Sequence, residues 1–187
     1  MSAHTASAEG FAHPARNIDA LPFEPGMTVA DLGSGSGHYA LEFAARLSET
    51  GRVYAVDVQR DLLHRIKNEA QRRGLKNLEI IPGDIEKMHG THIADAVCDL
   101  VLLSNVLFQL EDPGGALLEA WRILKPTGRL GIIDWSDSFG GMGPTKVHVI
   151  KKERALELAE NSGFKLLTEF SAGAHHYGLL LKPVPHI

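Results

Sequence analysis

The 187-residue sequence has a single cysteine, Cys98, so it can form neither an internal disulfide nor a thiolate cage around zinc. Long apolar runs are missing too. The richest stretch, Val97 to Leu110, is broken by Asp99, Ser104, Asn105 and Gln109, whereas about 18 uninterrupted apolar residues are needed to cross a bilayer. The first ten residues, MSAHTASAEG, carry neither a basic start nor an apolar block, which reads as no signal peptide and an expected cytoplasmic location. Nor is there an excess of positive charge. With 19 Lys+Arg against 23 Asp+Glu, the net charge of -4 argues against non-specific nucleic-acid binding, which depends on neutralising phosphates. What is present, 44% hydrophobic against 22% charged residues, suits one well-formed core and excludes a disordered chain.

From Thr28 onward, short apolar runs alternate with amphipathic stretches. The runs Thr28–Leu32, Arg52–Asp57, Leu78–Ile81, Leu100–Leu103 and Arg129–Asp134 lack clean polar alternation, as parallel strands buried on both faces do. Tyr39, Phe43 and Leu47 recur at helical spacing, and so do Leu62, Ile66 and Ala70, with Gly74 as a C-terminal cap. Asp112-Pro113 opens a further helix, and Pro126-Thr127-Gly128 stops it near Lys125. Glu153–Ser162 is a helix closed by Gly163. The strand-like runs Phe164–Phe170 and Tyr177–Leu181 then form an antiparallel hairpin across a short Gly-containing link. Five βα units and a hairpin make a doubly wound α/β sheet with one reversed strand. Residues 1–27 are expected to be a flexible tail and irregular arm, and 28–187 the domain.

The segment Asp31-Leu32-Gly33-Ser34-Gly35-Ser36-Gly37 joins the first strand to the first helix. Alternate glycines let a ligand approach the backbone closely, and the helix start favours negative ligand groups. A dinucleotide fingerprint would need glycine where His38 stands, and a phosphate loop would need Gly-Lys-Ser/Thr. Asp31 would repel pyrophosphate but could hold an ammonium, directly or through water. Asp57, at the tip of the second strand, can accept both hydroxyls of a ribose. Asp84 follows the third strand, beside an adenine amino group, and Val58 and Ile85 would sandwich the ring. The loop therefore suits a nucleoside with a cationic amino-acid tail.

Jointly these motifs, with Asp99 to Asn105 and Trp121 to Leu130, resemble class I S-adenosylmethionine-dependent methyltransferases, in particular the small quinone- and arsenite-methylating enzymes. The resemblance covers about Thr28 to Leu181. It implies a Rossmann-like seven-stranded sheet of order 3-2-1-4-5-7-6 with strand 7 antiparallel. It also implies S-adenosylmethionine as cofactor, held by Asp31, Gly33, Ser34, Gly35, Gly37, Asp57, Val58, Asp84, Ile85, Ser104 and Asn105.

The reacting methyl would face the ends of the fourth and fifth strands. Asp134, His148 and His176 are then the candidates for acid–base work, and Arg16, Trp135, His175 and Tyr177 for contact with the acceptor. Adjacent strand residues face opposite ways, so at most one of His175 and His176 should look inward. Phe11 to Asn17 would serve as a lid and Phe139 to Pro144 as a gate. No metal site is expected despite ten histidines, because no pair has helical i, i+4 spacing. One cysteine is too few for arsenite. The leading expectation is a small-molecule methyltransferase. The alternatives are an RNA or protein methyltransferase, or a non-catalytic S-adenosylmethionine-binding module.

Overall fold

Strands made of Val, Ile and Leu on both faces need cover on both sides, and this chain supplies it with helices. The computed structural model describes residues 13–139 and 143–185. In chain order the elements are α1 (Pro14–Asp19), β1 (Thr28–Leu32), α2 (His38–Leu47), β2 (Arg52–Asp57), α3 (Arg60–Arg72), β3 (Leu78–Pro82) and β4 (Cys98–Ser104). A 3-10 turn (Leu107–Gln109), α4 (Pro113–Ile123), β5 (Leu124–Trp135), α5 (Lys152–Asn161), β6 (Phe164–Ser171) and β7 (His176–Pro183) follow. The seven strands form one sheet in the order β3-β2-β1-β4-β5-β7-β6. β1 to β5 run parallel, and β7 is antiparallel to both of its neighbours. The expected architecture is the observed one.

One face of the sheet packs Val29, Val53 and Leu102 against Phe43 of α2 and Ile66 of α3, with Ile18 of α1 in the same cluster. The other packs Leu32, Val56 and Leu103 against Leu117 of α4 and Ala155 of α5. Leu32 lies level with Val56 and Leu103, Ser104 with Ile133, and Trp135 with His176. This register brings the ends of five strands to one rim.

Local details depart from the sequence reading in four places. The arm contains a short helix, α1, begun by Pro14 and buried through Asn17 and Ile18. In α3 it is Leu63, not Leu62, that joins Ile66 and Ala70 in the core. The third βα unit has no helix: residues 83–97 run from β3 to β4 as turns. Finally, β5 starts at Leu124, straight out of α4. Cys98 pairs with Leu124 but Leu100 with Arg129, so the Pro126-Thr127-Gly128 turn survives as a bulge inside the strand.

Candidate functional site

The glycine loop is fixed by what surrounds it. The Gly33 and Ser34 amides donate to the Val56 carbonyl at 2.8 and 3.0 Å, stitching the loop to the end of β2. Gly33 has φ +72°, and a Cβ there would sit 2.5 Å from Cγ2 of Val106. Gly37, the residue before α2, has φ +79° and would press a Cβ to 2.5 Å from Cγ1 of Ile66. Both positions combine a left-handed backbone with no room for a side chain. Asp57 completes the arrangement: its Oδ2 accepts the Gly35 amide and its Oδ1 the Gln59 amide, both at 2.8 Å. One carboxylate therefore ties the loop to the start of α3.

Two hollows open along this rim. One, of about 360 Å³, is lined by Gly33, Gly35, Asp57, Val58, Asp84 and Ile85, with Leu62, Val106 and Gln109 among its other walls. The second, of about 340 Å³, is lined by Pro14, Ser34, Tyr39, Ser104 and Asn105, and shares Gly33, Gly35 and Gln109 with the first. Together they form a groove over the loop. Within it, Ser34 Oγ, Ser104 Oγ and Asn105 Oδ1 are buried without a hydrogen-bond partner. Ser104 Oγ is near enough to the Tyr39 hydroxyl to bear on its acidity, but not in hydrogen-bonding geometry. Unpartnered buried polar atoms are uncommon, and a polar ligand in the groove would satisfy them.

The acidic residues differ in what holds them. Asp31 is buried beneath the loop and its Oδ2 accepts the Ala40 amide at 3.1 Å. Burial pushes its pKa up to about 7, against that hydrogen bond and with help from the nearby Asp57 charge. Asp84 lines the first hollow, but it also pairs with Lys87 at 2.9 Å and accepts the Glu86 amide. Lys87 and that amide hold it below the usual carboxylate range.

Asp134 lies at the end of β5, as expected, but its carboxylate is committed to backbone amides. It is buried, and its carboxylate accepts the Leu107 amide at 3.0 Å and the Trp135 amide at 2.8 Å. Burial raises it to about 7, opposed by these bonds and by the amides of Phe108 and Val106. The side chain thus holds the 3-10 turn that carries Val106 and Gln109 into the groove.

The histidines separate cleanly. His148 is exposed on a turn, with Nδ1 2.8 Å from the Thr145 hydroxyl, and is not brought to the groove. His175 lies outside β7, stacked on Phe139 at 3.9 Å between centroids and 2.8 Å from Asp137. His176 faces inward, packed on Trp135 at 4.2 Å, with both ring nitrogens buried and unpartnered. Burial lowers its pKa to about 4, with the neighbouring His175 adding and Asp137 opposing. Tyr177 points to the opposite face, where its hydroxyl donates to the Ile150 carbonyl at 3.0 Å. Arg16 is exposed on α1. Phe11 and Ala12 of the expected lid, and residues 140–142 of the expected gate, lie outside the described residues.

His176 gives a stability prediction. Its folded pKa is below the ordinary 6.5, so the unfolded chain binds the extra proton between pH 6.5 and 4. The contribution is whole above pH 6.5 and is lost as pH falls toward 4. The raised values of Asp31 and Asp134 act with the opposite slope up to about 7, so the comparison must be made between variants. Thermal midpoints across pH 4–7 for the wild type and His176→Gln should converge at the acid end. Parallel curves would show that His176 is not held neutral.

Several groove residues carry no recognisable signal in the sequence. Tyr39 reads as part of an apolar helix face, yet its hydroxyl accepts from Asn17 Nδ2 at 2.8 Å. The same Asn17 nitrogen donates to the Ala172 carbonyl at 3.2 Å, joining α1 to the β6–β7 turn. Gln109 lines both hollows and ties back to the Asn105 carbonyl at 2.7 Å. Its only trace was as a polar interruption in an apolar stretch.

The sheet order, with a glycine loop after β1 and an acid at the end of β2, defines a Rossmann-like domain. A model of the methyltransferase domain family matches residues 23–163. Among solved structures, a SAM dependent methyltransferase from Aquifex aeolicus superposes with a TM-score of 0.83 at 27% identity, covering 91% of this chain and 89% of that one. An arsenic(III) S-adenosylmethionine methyltransferase from Chlamydomonas reinhardtii shares the fold, with a TM-score of 0.70 at 21% identity over 92% of this chain and 74% of that one. The ubiquinone/menaquinone biosynthesis C-methyltransferase UbiE of Klebsiella pneumoniae is 27% identical over 158 residues, 81% of this chain and 62% of that protein. A 37.1 kDa transposon protein of Streptomyces fradiae is 34% identical over 120 residues, 63% of this chain and 33% of that protein. The chain thus spans between a third and about three-fifths of these two relatives. It belongs to the class I S-adenosylmethionine-dependent methyltransferase family, whose cofactor is S-adenosylmethionine.

Proposed function

We propose that this domain transfers a methyl group from S-adenosylmethionine to a small-molecule acceptor. When bound, the cofactor supplies an electrophilic methyl on a sulfonium, open to in-line attack. The observation that carries the proposal is the groove itself, a two-part hollow over the glycine loop with orphaned polar atoms along its second half.

In this reading Asp57 meets the ribose hydroxyls with the lone pairs its two amide bonds leave free. Val58 and Ile85 flank the base and Asp84 lies at its edge. The backbone of Gly33, Gly35 and Gly37 gives close approach. Ser34, Ser104 and Asn105 serve the amino-acid tail, and buried Asp31 is the negative charge beneath its ammonium. Deprotonation of Asp31 is favoured when that ammonium arrives, since an opposite charge lowers a carboxyl pKa.

Acceptor binding falls to Trp135 and His176, on the same sheet face as Ser104. Arg16 and His175 stand at the edge of this region. Among Asp134, His148 and His176, only His176 joins burial at the strand ends with uncommitted ring nitrogens. A neutral imidazole there can orient an acceptor O–H or N–H. Positioning of this kind supplies up to roughly 7–11 kcal/mol in ideal cases, so the chain needs no strong base.

A small acceptor is favoured by enclosure. Trp135, His176 and Asn17 are buried, and α1 bridges α2 to the β6–β7 turn over this end of the sheet. The net charge of -4 gives RNA no electrostatic welcome. The test is a tritiated-methyl assay against cell extract split into small-molecule, RNA and protein fractions. Label in the small-molecule fraction is the expected result, and label confined to RNA or protein overturns the choice of acceptor. Tight cofactor binding with no transfer to any fraction would mark a non-catalytic module.

A further inference from the structure

Glu119 is the most buried charge in the described fold that the proposed chemistry does not use, with a side-chain exposure of 0%. It sits in the middle of α4, on the far side of the sheet from α2 and α3. Its Oε2 accepts the backbone amide of His89 at 2.9 Å, and its Oε1 accepts the amide and hydroxyl of Thr91 at 3.1 and 2.6 Å. The Arg122 guanidinium binds both oxygens, at 2.8 and 2.7 Å, and reaches on to Asp95. Burial works against the charge of Glu119, but Arg122, Thr91 and the amides hold its pKa down at about 2.

Apart from Arg122, which stands on α4 itself, all of these contacts fall on the helix-free link between β3 and β4. That link is one loop closed on itself: the Asp84 amide donates to the Gly90 carbonyl at 3.1 Å and the Gly90 amide to Lys87 at 2.8 Å. Gly83, Asp84, Ile85 and Glu86, on its inner side, wall the first hollow. His89 and His92, on its outer side, have φ of +61° and +57°, conformations that non-glycine residues hold only when their surroundings impose them. Glu119 grips the chain between and at these strained points. A second tie runs the same way, from the Glu86 carboxylate to the Asp112 amide at the start of α4.

A buried ion pair contributes little net stability relative to well-packed apolar side chains of similar volume. The fold alone therefore gives weak reason for Glu119 and Arg122. We infer that Glu119 is a positioning residue for the cofactor, clamping the loop that forms the wall on which the adenine base rests. The inference depends on the groove being the cofactor site, as proposed above. In place of a helix, the third βα unit uses a carboxylate from α4 to fix its strand-end loop.

The decisive variant is Glu119→Leu combined with Arg122→Leu, which removes the clamp without leaving an unpaired buried charge. Titration calorimetry with S-adenosylmethionine and with adenosine should show both dissociation constants raised about tenfold. Hydrogen exchange over residues 84–92 should accelerate while the rest of the domain stays folded at the temperature of the titration. A folded double variant with wild-type affinity for both ligands overturns the inference. Should that variant not fold, Glu119→Gln keeps one acceptor oxygen and should weaken adenosine about threefold; wild-type affinity there is equally fatal. Asp57→Ala separates the two readings. If it weakens the cofactor while the Glu119 variants do not, only the clamp falls; if neither changes affinity, the groove is not the cofactor site.

Discussion

Replacing Gly33 with alanine is expected to cost about 2–5 kcal/mol of folding stability, the sum of a left-handed backbone penalty and overpacking against a fixed neighbour. The new methyl would lie 2.5 Å from Cγ2 of Val106, which cannot withdraw, because the amides of the turn that carries it are held by Asp134. The strain therefore passes to the groove, and cofactor affinity should fall along with stability. Denaturant unfolding of Gly33→Ala, Val106→Ala and the pair tests the mechanism. The pair should be more stable than the sum of the single losses by about 1 kcal/mol or more, since removing the valine methyls relieves the clash but not the φ penalty. Strict additivity would mean that the loop and the turn do not press on one another.

The second large effect belongs to Asp57. Its two oxygens hold the Gly35 and Gln59 amides, and the proposed ribose contacts use the same carboxylate. Asp57→Ala removes charge-assisted hydrogen bonds worth about 1.5–3 kcal/mol each, although relaxation and water recover part of this. S-adenosylmethionine should bind about 10–100-fold more weakly, a loss of about 1.4–2.7 kcal/mol. Calorimetric titration reads this directly, and NADH should give no signal with either protein. An unchanged dissociation constant removes Asp57 from the site.

Much of this architecture is written in local pattern. β1 and β2 match their apolar runs residue for residue, Gly74 follows α3 with φ +68°, and Asp112 caps α4 by accepting the Gly115 amide at 3.0 Å. These features are set within a few residues, so sequence spacing reveals them. What stayed hidden depends on long-range contacts. α1 has only six residues, too few for a period, and it is fixed by Asn17 reaching partners on α2 and near β7. The helix-free third link is held by Glu119, nearly two turns into α4 and 28 to 30 positions from the amides it binds. Asp134 reads as a reactive carboxylate at a strand tip, and only the fold shows the backbone amides it serves. The glycine loop was legible because Gly33, Gly35 and Gly37 alternate within a few residues between a strand and a helix. The region proposed for the acceptor was not, because it is assembled from α1, β4, β5 and β7.

The Asn17–Ala172 bond spans 155 positions, and β7 enters the sheet between β5 and β6. During synthesis the half of the groove proposed for the nucleoside has its strands early, with β1, β2 and β3 complete by Pro82. The seat of α1 exists only after Ala172 has been made and the last hairpin has turned back. On the proposed reading, a nascent chain thus acquires the strands beside the cofactor groove well before the seat of α1, at the end assigned to the acceptor. Order of manufacture, and not distance alone, separates the two halves of this site.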